Sequence, residues 1–393
     1  MPAGICMTVS RNGEIILKVL FILSGVNDME KKQSTPDFTL FAVTLILVAF
    51  GLVMVFSSSA IISQVQRDDT YFFLRRQAFW AVLGIIGMYV TSKINYWKWK
   101  LLATPIIIIN FILLLAVFIP GLGVQVYGAE RWLGIAGLTI QPSEFTKIAL
   151  VIFVATYLTS RKNSVQDIRT LMVALGAMGI SCGLILLQPD MGTAVAVAGS
   201  ALLIIFVAGM KISHMLVLGC AIVPATIALV FSEDYRRKRF LSFLDPWEDQ
   251  LESGYQIIQS LYALGPGGLI GAGLGRSRQK FFYLPEPHND FIFAVIGEEL
   301  GFLGASLVII LFFVFIWRGF KIAMHSPDMF GALMATGITA MVGLQAFMNI
   351  GVVTASMPVT GINLPLISAG GSSLLFTLSS IGILLNISKH NQI

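Results

Sequence analysis

Apolar runs of about twenty residues recur along this chain from Phe38 almost to its end. A helix needs about 20 such residues to cross the hydrocarbon core of a bilayer. In lipid, every backbone N–H and C=O has to be satisfied within the structure, and the runs are continuous rather than alternating. Helices and closed barrels both meet the first condition, and the continuity of the runs favours helices. Ten spans are predicted, at roughly 38–60, 77–93, 101–120, 142–160, 170–188, 191–210, 212–232, 291–317, 329–351 and 365–387. Residues 329–388 carry no charge at all, and Pro358, Gly361 and Pro365 divide that stretch into two helices. The composition agrees: 56% of the 393 residues are hydrophobic and 12% charged, where a soluble domain carries about 25% charge. The expected fold class is an all-α polytopic membrane protein.

Charge placement gives the orientation. With the N-terminus inside, the inner segments hold fourteen Lys and Arg and the short outer loops hold four, Arg67, Arg75, Arg76 and Arg131. The positive-inside rule then puts both termini in the cytoplasm. Two polar loops, 121–141 and 233–290, face outward, the larger one between helices 7 and 8. Tyr96, Trp97 and Trp99 fit an interfacial aromatic belt on the inner side. Residues 1–37 are read as a cytoplasmic tail and 38–390 as a single transmembrane domain. Within the tail, Ile15–Val26 is too short to span and lacks a small-residue cleavage site. Met29 opens an ordinary leader with Lys31 and Lys32, so residues 1–28 are expected to be dispensable.

Several functions are disfavoured. The net charge of +5 shows no nucleic-acid footprint, and Cys6, Cys182 and Cys220 have no metal or disulfide spacing. The glycine cluster from Gly265 to Gly275 follows no strand, so it reads as a tight re-entrant turn rather than a nucleotide loop.

Three polar constellations lie on the outer side. In the first, Arg131 precedes Pro142, Glu144 and Lys147. Pro142 suits the first position of a helix, and Glu144 in the first turn suits its dipole. Glu144 and Lys147 are i,i+3 and can pair. They either position helices or, with Arg131, hold an anionic ligand such as a phosphate. In the second, Asp190 and Thr193 have the chemistry of a helix cap. The third is the long loop. Its cationic run Arg236–Arg239 either rests on lipid headgroups or collects an anionic lipid. Arg276, Arg278 and Lys280 precede Phe281, Phe282 and Tyr283, a basic-then-aromatic pattern suited to the interface. The loop closes on Leu284, Pro285, Glu286, Pro287, His288, Asn289 and Asp290, at the lip of an apolar helix. A carboxylate there is costly without a task or a partner, so Asp290 is the candidate catalytic group. His288 either pairs with it or is a surface polar residue. Glu298 and Glu299 lie roughly 12–14 Å deeper, too far for a catalytic dyad with Asp290. At least one of them has to face the bundle interior, against a cation or a helix end.

Together these blocks resemble the FtsW/RodA/SpoVE polymerases, the shape, elongation, division and sporulation (SEDS) family. The blocks are Gly128–Trp132 with Gln141–Lys147, Gln188–Thr193, Asp245–Trp247 through Ser253–Gln256 to Asp290, and Pro358–Pro365 with Gly370–Ser373. The resemblance covers about residues 34–390 and is closest to the division and sporulation branch. It implies a ten-helix bundle that polymerises lipid II into the glycan strands of peptidoglycan. In that family an essential loop aspartate matches Asp290, and a paired acid and lysine match Glu144 and Lys147. Arg131, Lys280, Glu286 and His288 are candidate supporting residues. The chain departs from the family at Ala369, usually Tyr, and at Glu130. The resemblance further implies a class B penicillin-binding transpeptidase as partner.

The chemistry expected is attack of a sugar hydroxyl, deprotonated by Asp290, on a sugar already carrying a diphosphate leaving group. Arg131, Lys147 or a divalent cation, magnesium or manganese, is the candidate to neutralise that diphosphate. The rival readings are a flippase for the same lipid and a scaffold that recruits the transpeptidase.

Overall fold

The computed structural model describes residues 35–126, 129–135, 138–160, 167–252, 254–281 and 283–391. The tail 1–28, Gly128, Ser253 and Phe282 therefore lie outside the described residues. Asp37 starts α1 (Phe38–Arg67) by accepting the Leu40 N–H, and Arg318 is ion-paired to the same carboxylate. There follow α2 (Phe72–Lys93), α3 (Trp97–Ala116), α4 (Pro142–Ser160), α5 (Ile168–Leu187), α6 (Met191–Val207) and α7 (Ile212–Phe231). After two loop helices, α8 (Asp234–Leu244) and α9 (Tyr255–Leu264), come α10 (Ile292–Met324), α11 (Met329–Val353) and α12 (Gly371–Ser388). Eight of these helices are long and apolar enough to cross a membrane. The other two long ones, α2 and the 17-residue α6, occupy the remaining predicted positions. The chain is thus an all-α multi-pass membrane protein.

The 121–141 loop is the exception to the helical pattern. It holds a three-stranded antiparallel meander, β1 (Gly123–Val126), β2 (Ala129–Ile135) and β3 (Leu138–Ile140). Val124 lies opposite Trp132, and Leu133 opposite Ile140. Strand pairing satisfies backbone groups that a bare loop at the membrane edge would leave to solvent.

α4 and α11 form the interior, and both are mostly buried. α2 packs along α12. α7 by contrast buries only Val230 within the described residues. The last helix starts at Gly371, six residues later than the sequence pattern suggests. Leu366 has φ 66°, which no helix accommodates. Its neighbours Leu364 and Ile367 are buried in the core as loop residues. Apolar character there marks packing, not a span.

α10 is two helices joined at Gly301, whose φ 64° and ψ −161° belong to glycine alone. The break is filled by the predicted re-entrant turn. Ala272 and Gly273 donate to the Glu298 and Glu299 carbonyls, and Phe302 and Leu303 donate to Gly268 and Leu269. A Cβ on Gly271 would lie 2.2 Å from the Glu299 carbonyl oxygen. The break is tolerated because these cross-bonds satisfy the backbone groups that it frees.

Candidate active site

The segment before α10 is held by its carbonyls. Ala369 N–H donates to the His288 carbonyl at 2.9 Å, and Ser368 Oγ to that of Asn289 at 2.7 Å. Asn349 Nδ2, deep on α11, donates at 2.7 Å to the Asp290 carbonyl and at 2.7 Å to that of Ile362. Three consecutive peptides are thereby fixed, and the Asp290 side chain is left free. It lies half-buried over Gly361, where a Cβ would come 3.6 Å from its Oδ2. Gly361 has φ 68°, so a turn only glycine makes easily forms the floor. Among the described residues the Asp290 carboxylate takes no ion pair or hydrogen bond.

Burial drives its pKa up, and neighbouring Glu286 adds to this; the pKa is pushed up to about 6. Arg239 and Arg131 oppose the rise and Asp190 reinforces it. Residues 131, 190, 239 and 286 therefore all lie within electrostatic reach of Asp290, although 159 positions separate Arg131 from it.

Arg131, from β2, donates Nε to the Gln188 carbonyl at 2.8 Å and Nη2 to that of Pro189. This ties the meander to the α5–α6 turn. Asp190 is the expected cap of α6: Oδ1 accepts the Thr193 N–H at 3.0 Å and Oδ2 its hydroxyl at 2.8 Å. Oδ2 also accepts Gln141 Nε2 at 3.1 Å.

The remaining candidates are placed differently. Glu144 and Lys147 form the i,i+3 pair at 2.7 Å, buried inside the bundle. Lys147 also reaches Gln345 Oε1 at 2.9 Å, and Gln345 Nε2 reaches the Asn363 carbonyl at 3.3 Å. The pair is thus linked to the Gly361 floor rather than open to an incoming anion. Lys280 is buried against Glu299 at 2.8 Å, and Glu299 also accepts Ser57 Oγ at 2.6 Å. Glu298 accepts the Arg278 N–H at 2.6 Å. This carboxylate pair anchors the 276–280 loop and takes up the Lys280 charge. His288 is neither on the surface nor paired with Asp290. It is buried, 4.3 Å from the Phe73 ring by centroids, with Nε2 3.8 Å from Glu286. Burial lowers its pKa against the opposing pull of Glu286, favouring the neutral ring.

The sequence reading missed Asn349, Ser368 and the floor role of Gly361, and it did not single out Arg239 within its run. A signal for the first existed: Gln345 and Asn349 are i,i+4, two amides on one face of a charge-free span. No group of three metal-ligating side chains converges among the described residues. Both oxygens of Asp190 are already taken by donors.

The sequence profile of the FtsW/RodA/SpoVE family, described as a cell cycle protein, matches residues 37–393. The chain belongs to the FtsW/RodA/SpoVE family. It is 46% identical over 365 residues to stage V sporulation protein E of Bacillus subtilis (strain 168), covering 93% of this chain and all of that protein. It is 41% identical to a probable peptidoglycan glycosyltransferase FtsW of Geobacter sp. (strain M18), over 90% of this chain and 96% of that one. A chain from a structure of a peptidoglycan synthase complex that couples polymerization and crosslinking superposes with a TM-score of 0.75 at 30% identity, over 91% of this chain and 98% of its own length. The rod shape determining protein RodA of Thermus thermophilus superposes at 0.68 and 27%, over 91% and 98%. The family thus spans the whole bundle, Asp290 and its floor included.

Proposed function

We propose that this protein is a peptidoglycan glycosyltransferase that polymerises lipid II on the outer face of a bacterial cytoplasmic membrane. One observation carries the reading: an unpaired, half-buried carboxylate, Asp290, is held by its own carbonyl at the mouth of α10, within the field of two arginines. A carboxylate whose pKa is pushed up to about 6 is ionised at neutral pH and still a useful proton acceptor.

In the reaction, the acceptor 4-hydroxyl oxygen bonds to the anomeric carbon of the donor sugar. Its proton passes to Asp290. The bond from that carbon to the diphosphate oxygen breaks, and the electron pair leaves with the diphosphate. A single displacement of this kind inverts the anomeric centre. Guanidinium groups near the site supply the fixed positive charge that stabilises the departing anion. Lys147 and Lys280 are held in ion pairs and serve the scaffold.

The topology that fits is ten spans with both termini cytoplasmic, which places Asp290 outside, where the glycan grows. The partner is a class B penicillin-binding transpeptidase, and the place of action is a division or spore septum. Similarity to a sporulation protein and to FtsW proteins supports this setting.

The test is glycan polymerisation from purified lipid II, with and without the cognate transpeptidase, by wild type and Asp290→Ala. Polymer from wild type and none from a folded Asp290→Ala is the expected result. Full polymerisation by Asp290→Ala would remove the proposed base. No polymer from wild type with its partner present would remove the enzyme and turn attention to lipid II transport.

A further inference from the structure

The basic-then-aromatic run near the end of the long loop is divided by its partners. Lys280 is taken up by Glu299. Arg276 and Arg278 are exposed, and among the described residues their guanidinium groups make no ion pair and no hydrogen bond. Both line a cavity of about 560 Å³ together with Tyr262 of α9, Pro266 of the re-entrant turn and Glu298 of α10. The Arg276 stem packs over the turn, since a Cβ on Gly273 would lie 3.4 Å from its Cδ. Two guanidinium groups thus face one carboxylate. That carboxylate is already met by the Arg278 and Gln279 N–H groups, at 2.6 and 3.4 Å, and by the Ser277 hydroxyl. The cavity keeps an excess of positive charge.

Its surroundings are those of a lipid boundary. Leu269 and Ile270, on the turn, are 70% and 78% exposed, and Leu274 is exposed two residues before Arg276. Hydrogen bonds lay the turn against α10 at Phe302 and Leu303, which are exposed as well. Tyr262 packs on Trp247 with ring centroids 6.1 Å apart, and both rings are half exposed. Exposed Trp and Tyr gather at the level of the lipid headgroups. The cavity therefore sets guanidinium groups beside an interfacial aromatic pair and alkyl side chains next to them. An exposed guanidinium beside lipid is costly until an anion meets it, and its fork matches the oxygens of a phosphate. The site is separate from the base. Glu298 is two helical turns past Asp290, about 12 Å along the axis, and neither arginine is among the charges acting on the Asp290 carboxylate.

We infer that this cavity binds an anionic phospholipid of the surrounding bilayer. The phosphate lies between Arg276 and Arg278, and the acyl chains run along Leu269, Ile270 and Leu274. The bound lipid is a structural ligand, not a reactant. Arg278 gives its backbone N–H to Glu298 and its side chain to the phosphate, so an occupied site fastens the 276–280 loop to α10. Inorganic phosphate offers the same anion without chains, and a lipid-linked diphosphate offers it with a longer chain. The experiment separates the three.

The full chain in detergent is titrated with phosphatidylglycerol, and retained lipid is counted by native mass spectrometry. Wild type should retain phosphatidylglycerol in preference to phosphatidylcholine. Arg276→Gln/Arg278→Gln should weaken retention roughly 25-fold, about fivefold for each arginine. Leu269→Ser/Ile270→Ser, which keeps both charges, should weaken it as well. Arg169→Gln, an exposed arginine at the start of α5, should leave it unchanged. Inorganic phosphate and undecaprenyl diphosphate, each at the phosphatidylglycerol concentration, should not displace it. Melting temperatures of the lipid-free proteins that match wild type exclude misfolding, and if the double arginine variant melts early the two single variants carry the test. Unchanged retention in the arginine variants overturns the site, as does equal retention of phosphatidylcholine. Displacement by phosphate or by undecaprenyl diphosphate overturns it too, in favour of a plain anion site or a substrate site. Polymerisation of lipid II in neutral phosphatidylcholine nanodiscs should be the same for wild type and the arginine variants, and its loss in the variants would also overturn a purely structural lipid. A wild type that makes no polymer refutes the proposed reaction, while lipid retention still decides this site.

Discussion

Replacing Asp290 by Asn should abolish polymerisation and at the same time stabilise the protein. Burial and Glu286 hold the carboxyl at about 6 against an ordinary 3.8. That difference corresponds to about 3 kcal/mol, the cost of keeping the charge in the fold at neutral pH. The sign follows from proton binding. The folded state binds the proton more readily than the unfolded one, so the penalty is full above the folded pKa. It shrinks as pH falls through 6 and is gone below 3.8. The amide has the same shape and carries no charge at any pH. Asp290→Asn should therefore melt a few degrees above wild type at pH 7.5, with the gap closing toward pH 4. Thermal unfolding in detergent, followed by tryptophan fluorescence at several pH values, measures this. A variant that melts below wild type, or a gap independent of pH, would refute the claim that Asp290 is held charged against its environment.

Other expectations follow from neighbouring contacts. Polymerisation should lose activity on the acid side near pH 6, and Glu286→Gln should move that limb to lower pH, because removing a negative neighbour eases ionisation of Asp290; a pH–rate profile of both proteins decides it. Lys280→Met should cost about 3–5 kcal/mol by stranding buried Glu299, with most of it regained in the Lys280→Met/Glu299→Gln double variant, as read by thermal unfolding. Asn349→Ala leaves two buried carbonyls unpaired, each worth about 1–3 kcal/mol. It should lower kcat more than it raises KM, because the base loses its position rather than its substrate; a pure KM effect would argue against that role.

Much of the architecture was legible because lipid imposes a strong rule. Continuous apolar length marks a span, and the helices at Pro142, Met191 and Met329 begin within a residue of expectation. The rule fails where apolar residues pack as loop. Leu364 and Ile367 look like the start of a helix and are core filling. The 121–141 loop shows the converse: its polarity conceals a three-stranded meander, because pairing of backbone groups leaves little trace in so short a segment.

The candidate base was visible as a charge without a local partner. Glu144 and Lys147, i,i+3 to each other, could be paired from helical spacing alone. Which charges stay available was not visible, since that depends on contacts between residues far apart in the chain. Lys280 is consumed by Glu299 and Ser57, and His288 by Phe73 and Glu286, while Arg239 is left unpaired beside Val359. The sequence by itself determined that the chain threads a membrane and ends its long loop on a carboxylate, because hydropathy and burial cost are local properties. Only the tertiary structure decided that Asn349, Ser368 and Ala369 hold that loop by its carbonyls and that Gly361 lies under the acid. Electrostatics and hydrogen bonding at the site are set by distance in space, and the sequence carries no ruler for that.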